Sequence, residues 1–242
     1  MEKAYIIIRA ADPDMRGFAV LSDEEKKRAE AKHVAARPSY VTARSLLRWE
    51  LATTLGMAPA DVPLRQEGNG PVILQGGLAK DIYFSVAHTG TAENGIVAVA
   101  VSRTSPIGID IELPDRDLNW LRMAERRFAV GDHEELLALD ADAGRRRFYE
   151  MWTLRESLVK MEHGRLMHYL KYTKFDFTTP EPQLVGKTPG GLEKPTLFNR
   201  YFNEAELMVG CAAREKLFVC VDMYLGDSYT YLGPQDALGV AI

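Results

Sequence analysis

The segment Gly95 to Val101 reads Gly-Ile-Val-Ala-Val-Ala-Val, apolar at every position after its opening glycine. A strand with no polar face is a central, buried one, so the chain must build a sheet with cover on both sides. Other strand-like runs surround it. Ala4 to Ile8 is an opening strand, rich in β-branched residues and bounded by a polar turn. Residues 68–74, GNGPVIL, read as a turn and then a strand, Ile82 to Ala87 as another, and Gly108 to Glu112 as the strand after the turn at Ser102 to Pro106.

Helices alternate with these strands. Ser22-Asp23-Glu24-Glu25 has the form of a capping box and starts a helix. Pro38 interrupts it, and a second helix runs from Ser39 to Leu55, stopped by Gly56. In the second half, helices are expected over Leu118 to Phe128, Asp132 to Leu139 and Arg145 to Glu162. Strands are expected at Lys174 to Thr178 and Leu197 to Phe202 around the Pro/Gly-rich loop 180–195, then a closing hairpin of Glu206 to Arg214 and Leu217 to Met223. Residues 226–242 read as an irregular tail. Both halves run helices then a small antiparallel sheet.

Composition sets the outer bounds. The chain has 242 residues, the length of one large domain or two of about 120. Hydrophobic residues make up 46% and charged residues 26%, which excludes a disordered, collagenous or coiled-coil chain. The formal net charge of −4 argues against general nucleic-acid binding, which needs a positive field. No apolar run approaches the ~20 residues of a membrane span. The two cysteines, Cys211 and Cys220, have no zinc-ligand spacing. The opening residues are not a signal peptide, so the expectation is a cytoplasmic protein.

Four constellations carry possible chemistry. In Gly108-Ile109-Asp110-Ile111-Glu112, strand alternation puts Asp110 and Glu112 on one face and the isoleucines in the core. Two adjacent carboxylates either line a solvated strand edge or hold a cation, and hard oxygen donors suit Mg²⁺. Glu156 and Lys160, four apart in WTLRESLVK, share a helix face. They are either a surface ion pair or a third carboxylate with a phosphate-binding ammonium. His88, at a strand end in SVAHTG, is either a packed histidine or an anion contact. Between Lys26 and Arg48 stand seven basic residues against Glu30 alone. Arg37, Arg44 and Arg48 recur there at seven and four and would share a helix face. That run is either a solvated face or a site for a phosphate-rich ligand. A serine-hydrolase elbow, a P-loop and a GxGxxG turn are all missing.

RPSYVTARSLLR, GNGPVIL, FSVAHTG, GIDIE and WTLRESLVK, in this order, resemble a 4′-phosphopantetheinyl transferase of the two-lobed, Sfp type. The resemblance spans roughly residues 22 to 164. It implies an α+β fold of two similar lobes related by a pseudo-twofold, residues 1–105 and 106–242, each with helices on a small antiparallel sheet. The active site would lie in the cleft between them. It implies a Mg²⁺-dependent enzyme that moves the phosphopantetheine arm of coenzyme A to a serine of an acyl or peptidyl carrier protein, releasing adenosine 3′,5′-bisphosphate. Carried over residue by residue, Asp110, Glu112 and Glu156 match the metal trio. Glu156, Lys160 and His88 match the catalytic set. Arg37, Arg44, His88 and Lys160 are the candidates for coenzyme A. The basic helix is also a possible dock for an acidic carrier, and a monomer is expected.

The sequence departs from the family pattern in four places. Arg155 replaces the lysine before the glutamate, Ala87 replaces the serine before the histidine, and Asn69-Gly70-Pro71 lacks the lysine of its turn. The segment after the helix, Glu162-His163-Gly164, is poorer in glycine than the pattern. Two other readings remain: a Mg²⁺-dependent phosphohydrolase or nuclease, and a diverged coenzyme A-binding protein without catalysis.

Overall fold

The computed structural model describes residues 2–68, 70–114, 117–226 and 228–232. The fold is mixed α+β. Its strands are β1 (Lys3–Ala10), β2 (Leu64–Gln66), β3 (Val72–Leu74), β4 (Tyr83–Thr89), β5 (Ile96–Ser102), β6 (Ile107–Glu112), β7 (Lys174–Asp176), β8 (Gln183–Val185), β9 (Thr196–Phe202), β10 (Leu207–Ala213), β11 (Phe218–Leu225) and β12 (Ser228–Leu232). Its α-helices are α1 (Asp23–Ala31), α2 (Arg37–Leu55), α3 (Trp120–Arg127), α4 (Asp132–Leu137), α5 (Ala141–Glu162) and α6 (Leu166–Tyr172).

Four layers follow from the apolar pattern. A five-stranded sheet has the order β12-β11-β1-β5-β4, and a three-stranded antiparallel sheet has the order β6-β10-β9. Strand β5 is buried throughout. Its Ile96, Ala98 and Ala100 face a core shared with Ile107, Ile109 and Ile111 of β6 and with Val209 and Cys211 of β10. Its Val99 and Val101 face Leu47 and Leu51 of α2. On the far side of the three-stranded sheet, α5 packs Leu154 and Leu158 with Ala212 of β10. The order is therefore α2, sheet, sheet, α5, which explains why β5 carries no polar side chain inside its run.

Local signals set the helix ends. Ser22 accepts from the Glu25 amide while the Glu25 side chain accepts from the Ser22 amide, completing the capping box. Helix α2 carries Pro38 in its first turn and ends on Gly56 at φ 69°. That is the left-handed C-terminal geometry glycine favours.

Three expectations are corrected. Strands β10 and β11 are not a hairpin: β10 lies between β6 and β9, whereas β11 crosses to the other sheet and pairs with β1 in parallel. The 226–242 segment is not irregular throughout, since Ser228–Leu232 forms β12 against β11; residues 233–242 lie outside the described residues. Strand β8 falls inside the expected loop 180–195, paired with β7. Helix α6 and strand β2 were not foreseen at all.

Candidate active site

Strand β4 is an edge of the five-stranded sheet, and β6 is an edge of the other. Side chains join the two. The Ser85 hydroxyl accepts from the Ile109 amide at 3.1 Å, and the Thr89 hydroxyl donates to Glu112 Oε2 at 3.0 Å and accepts from the Leu113 amide at 3.3 Å. With Ile109 and Ile111 in the core between the sheets, alternation turns Gly108, Asp110 and Glu112 toward α5. Gly108 lets the helix approach, because a Cβ there would collide with the Ser157 carbonyl oxygen.

The close approach brings distant residues together. Lys160 Nζ donates to Asp110 Oδ1 at 2.8 Å and to the Ile109 carbonyl at 2.9 Å. Burial pushes the Asp110 carboxyl upward against the pull of Lys160. Glu112 is pushed up to about 7, by burial first and by the neighbouring charge of Asp110 second. Glu156 is raised by burial and then by Asp110. Three carboxylates that hinder one another's ionisation in one place call for a cation. Asp110 Oδ2 is buried with no hydrogen-bond partner, so a donor atom is available. Oxygen donors alone suit Mg²⁺. Among the described residues the carboxylates do not close into a finished ligand cluster, and Lys160 takes the other Asp110 oxygen. The unpartnered Asp110 Oδ2 is a hard oxygen donor of the kind a divalent ion takes.

Beside this group opens a cleft of about 670 Å³. Arg28, Lys32, Tyr40 and Arg44 line one part, with Gln66, Gly70, Pro71 and Val72 of the β2–β3 hairpin; Phe84, Val86, His88, Lys160 and His163 line the rest. His88 is held below the ordinary histidine range by burial and then by Lys160 and Lys32, so it is neutral at pH 7. Lys32 stands 5.0 Å and Arg44 5.3 Å from the centre of the Tyr40 ring. Arg44 also donates to Gln66 Oε1 at 2.6 Å, and Gln66 donates to the Gly70 carbonyl at 2.7 Å, so the hairpin is tied to α2.

Of the residues expected at the site, Arg44, His88 and Lys160 line the cleft, while Asp110, Glu112 and Glu156 do not line it and adjoin it through the Asp110–Lys160 contact. The structure does not bring Arg37 there. That guanidinium donates to the carbonyls of Glu30 and Lys32 and closes the end of α1. Arg48 does not share the surface of Arg44 either. It is buried on Glu25 at 2.7 Å and on the carbonyls of Pro59, Ala60 and Val62. The cleft-lining roles of Arg28, Lys32, Tyr40, Gln66 and His163 were not singled out by the sequence; only the charge of the 26–48 run pointed toward the first two. Arg155 points away from the cleft. It is buried on Asp132 and the Thr173 carbonyl, with its guanidinium 4.4 Å from the Phe128 ring centre. Of the departing turn, Gly70 and Pro71 line the cleft, and Asn69 lies outside the described residues.

Several known proteins are similar in sequence to this chain. HetI of Nostoc sp., named a 4′-phosphopantetheinyl transferase, is 29% identical over 175 residues, 71% of each chain. AcpT of Escherichia coli is 30% identical over 83 residues, 34% of this chain and 40% of its own, and Sfp of Bacillus subtilis is 33% identical over 82 residues, 34% of each. A relative from Synechocystis sp. is 28% identical over 143 residues, and that match spans 59% of this chain and only 56% of the relative's length. The family model described as the 4′-phosphopantetheinyl transferase superfamily matches residues 106–201, the stretch that carries β6 and α5. With Asp110, Glu112, Glu156 and Lys160 all inside that match, residues 106–201 of the chain are similar to the 4′-phosphopantetheinyl transferase superfamily.

Proposed function

We propose that this protein transfers the 4′-phosphopantetheine arm of coenzyme A to a serine of an acyl or peptidyl carrier protein. One observation carries the reading. Asp110 and Lys160, 50 positions apart, meet at 2.8 Å beside Glu112 and Glu156, at the edge of a cleft with a basic wall. The names of HetI, AcpT and Sfp support the same activity.

Asp110, Glu112 and Glu156 would hold Mg²⁺, which supplies charge neutralisation at the diphosphate. The chain's own residues do the rest. Arg28, Lys32 and Arg44 bind the 3′-phosphate end of coenzyme A, with Tyr40 as the packed base beneath them. Lys160 and His88 orient the diphosphate. Glu156, raised by burial and by Asp110, is the base that takes the proton of the incoming serine hydroxyl. The serine oxygen bonds to the phosphorus that carries the pantetheine arm. The phosphoanhydride bond breaks, and adenosine 3′,5′-bisphosphate leaves with the bonding electrons, its new charge facing Lys160.

The two-lobed architecture belongs to this reading. Residues 1–105 supply α2, β1, β4 and β5, to which β11 and β12 of the second half are added, the remainder of the second half supplies α5 on the other sheet, and the substrate lies where the edge strands β4 and β6 meet. A cytoplasmic monomer suits an enzyme that meets free coenzyme A and a separate carrier.

The test is to incubate the protein with coenzyme A, Mg²⁺ and a panel of apo carrier proteins, then weigh the carriers intact. Carrier mass should rise by about 340 Da, the covalently attached arm, and Asp110→Asn should abolish the rise. Binding of coenzyme A with no mass gain on any carrier would sink the transferase reading.

A further inference from the structure

Helix α5 stops at His163, whose φ of 51° and ψ of 38° lie in the left-handed region. Glycine is the favoured residue at such a helix end. The chain does hold a glycine, but one position later, at Gly164. The neighbours impose this backbone. The Tyr169 hydroxyl donates to Glu162 Oε2 at 2.9 Å, and the Glu162 carboxylate leaves no room for a Cβ on Gly190. A Cβ on Gly164 would run into the Tyr169 ring, and the Gly164 amide donates to the Val159 carbonyl at 2.9 Å. His163 is therefore held between two fixed residues in a conformation its own side chain disfavours. Backbone strain kept in this way marks a side chain wanted in that place.

The imidazole lines the cleft with Lys160 and His88. It is exposed, and among the described residues it has no hydrogen bond or ion pair. Lys160, one turn earlier on the same helix, is already bonded to Asp110 and to the Ile109 carbonyl. The His163 side chain, next to Lys160 in the cleft lining, is thus open to a ligand. We infer that His163 is a phosphate-contacting residue for the diphosphate of coenzyme A, kept in its strained conformation to make that contact. The inference rests on the transferase reading and adds a specificity residue to it.

Calorimetric titration of coenzyme A and of dephospho-coenzyme A, in Mg²⁺ buffer, into the wild-type protein and His163→Gly tests it. Glycine relieves the backbone, so the variant should melt at or above the wild-type temperature. It should bind both ligands about tenfold more weakly, or ~1.4 kcal/mol, because both carry the diphosphate. Unchanged affinity for coenzyme A in His163→Gly would overturn the inference. So would a loss confined to coenzyme A, which would put the imidazole at the 3′-phosphate. A lower melting temperature would refute the strain argument. A wild-type protein that binds neither ligand would overturn the transferase reading itself, a different result from all of these.

Discussion

Identical residue types do unlike work in this molecule according to where their charge ends up. Arg37, Arg44 and Arg48 recur on one helical period, yet one closes a helix end, one borders the cleft and one is buried on Glu25. A spacing rule finds a face but cannot tell solvent from a neighbouring helix. The alternation in Gly108-Ile-Asp-Ile-Glu112 was legible because both faces are filled as a strand requires: isoleucine to the core, carboxylates to α5. His88 gives a pH signature. Burial and two lysines lower its protonation range and favour the neutral form, whereas a bound phosphate favours the protonated one. Coenzyme A affinity should therefore strengthen as pH falls through and below the usual histidine range of about 6.5. The slope should be shallower in His88→Gln, measured by titrations across that interval.

At the scale of elements, the close pairs decide what each helix and strand tolerates. Gly108 sets the distance between β6 and α5, and Gly210 does the same for β10, where a Cβ would stand 2.6 Å from the Thr153 backbone. Gly108→Ala should destabilise the protein by ~2–3 kcal/mol through overpacking and reduce transfer as well, because the strand and helix carry the carboxylates and Lys160. Thermal melts with a carrier-loading assay would show both losses together. Helix α6 escaped sequence reading because it has only seven residues and Arg165, just before its first residue Leu166, makes no side-chain cap. The three-residue strands β2 and β8 are too short to display a period. The false hairpin has another cause. Strand β10 is buried at every position, so its apolar run looks the same whichever strand it pairs with.

Across the whole molecule, a buried charge pair ties three segments of the second half. Arg155 reaches Asp132 on α4 and the Thr173 carbonyl after α6, between the rings of Phe128 and Phe175. Arg155→Met alone strands the Asp132 carboxyl and should cost ~3–5 kcal/mol. The double variant with Asp132→Leu should recover most of that loss in denaturant titrations. A single-variant loss below ~1 kcal/mol would mean that the pair is incidental to stability. Sequence reading could place Arg155 only by its resemblance to a family lysine, since nothing in its neighbours foretold a wholly buried guanidinium.

The parallel pairing of β1 with β11 joins Lys3 to Phe218 and Arg9 to Tyr224. On the ribosome, β11 follows β1 by about 215 residues. At ~5–20 residues per second, roughly 10–40 s separate them. Once β5 has followed, it can cover one side of β1, while the other edge still waits with its backbone groups unpaired. Nascent chains of this protein therefore carry an open strand edge until β11 is made. Their yield in a cell should depend on holding chaperones more than the stability of the finished fold would suggest.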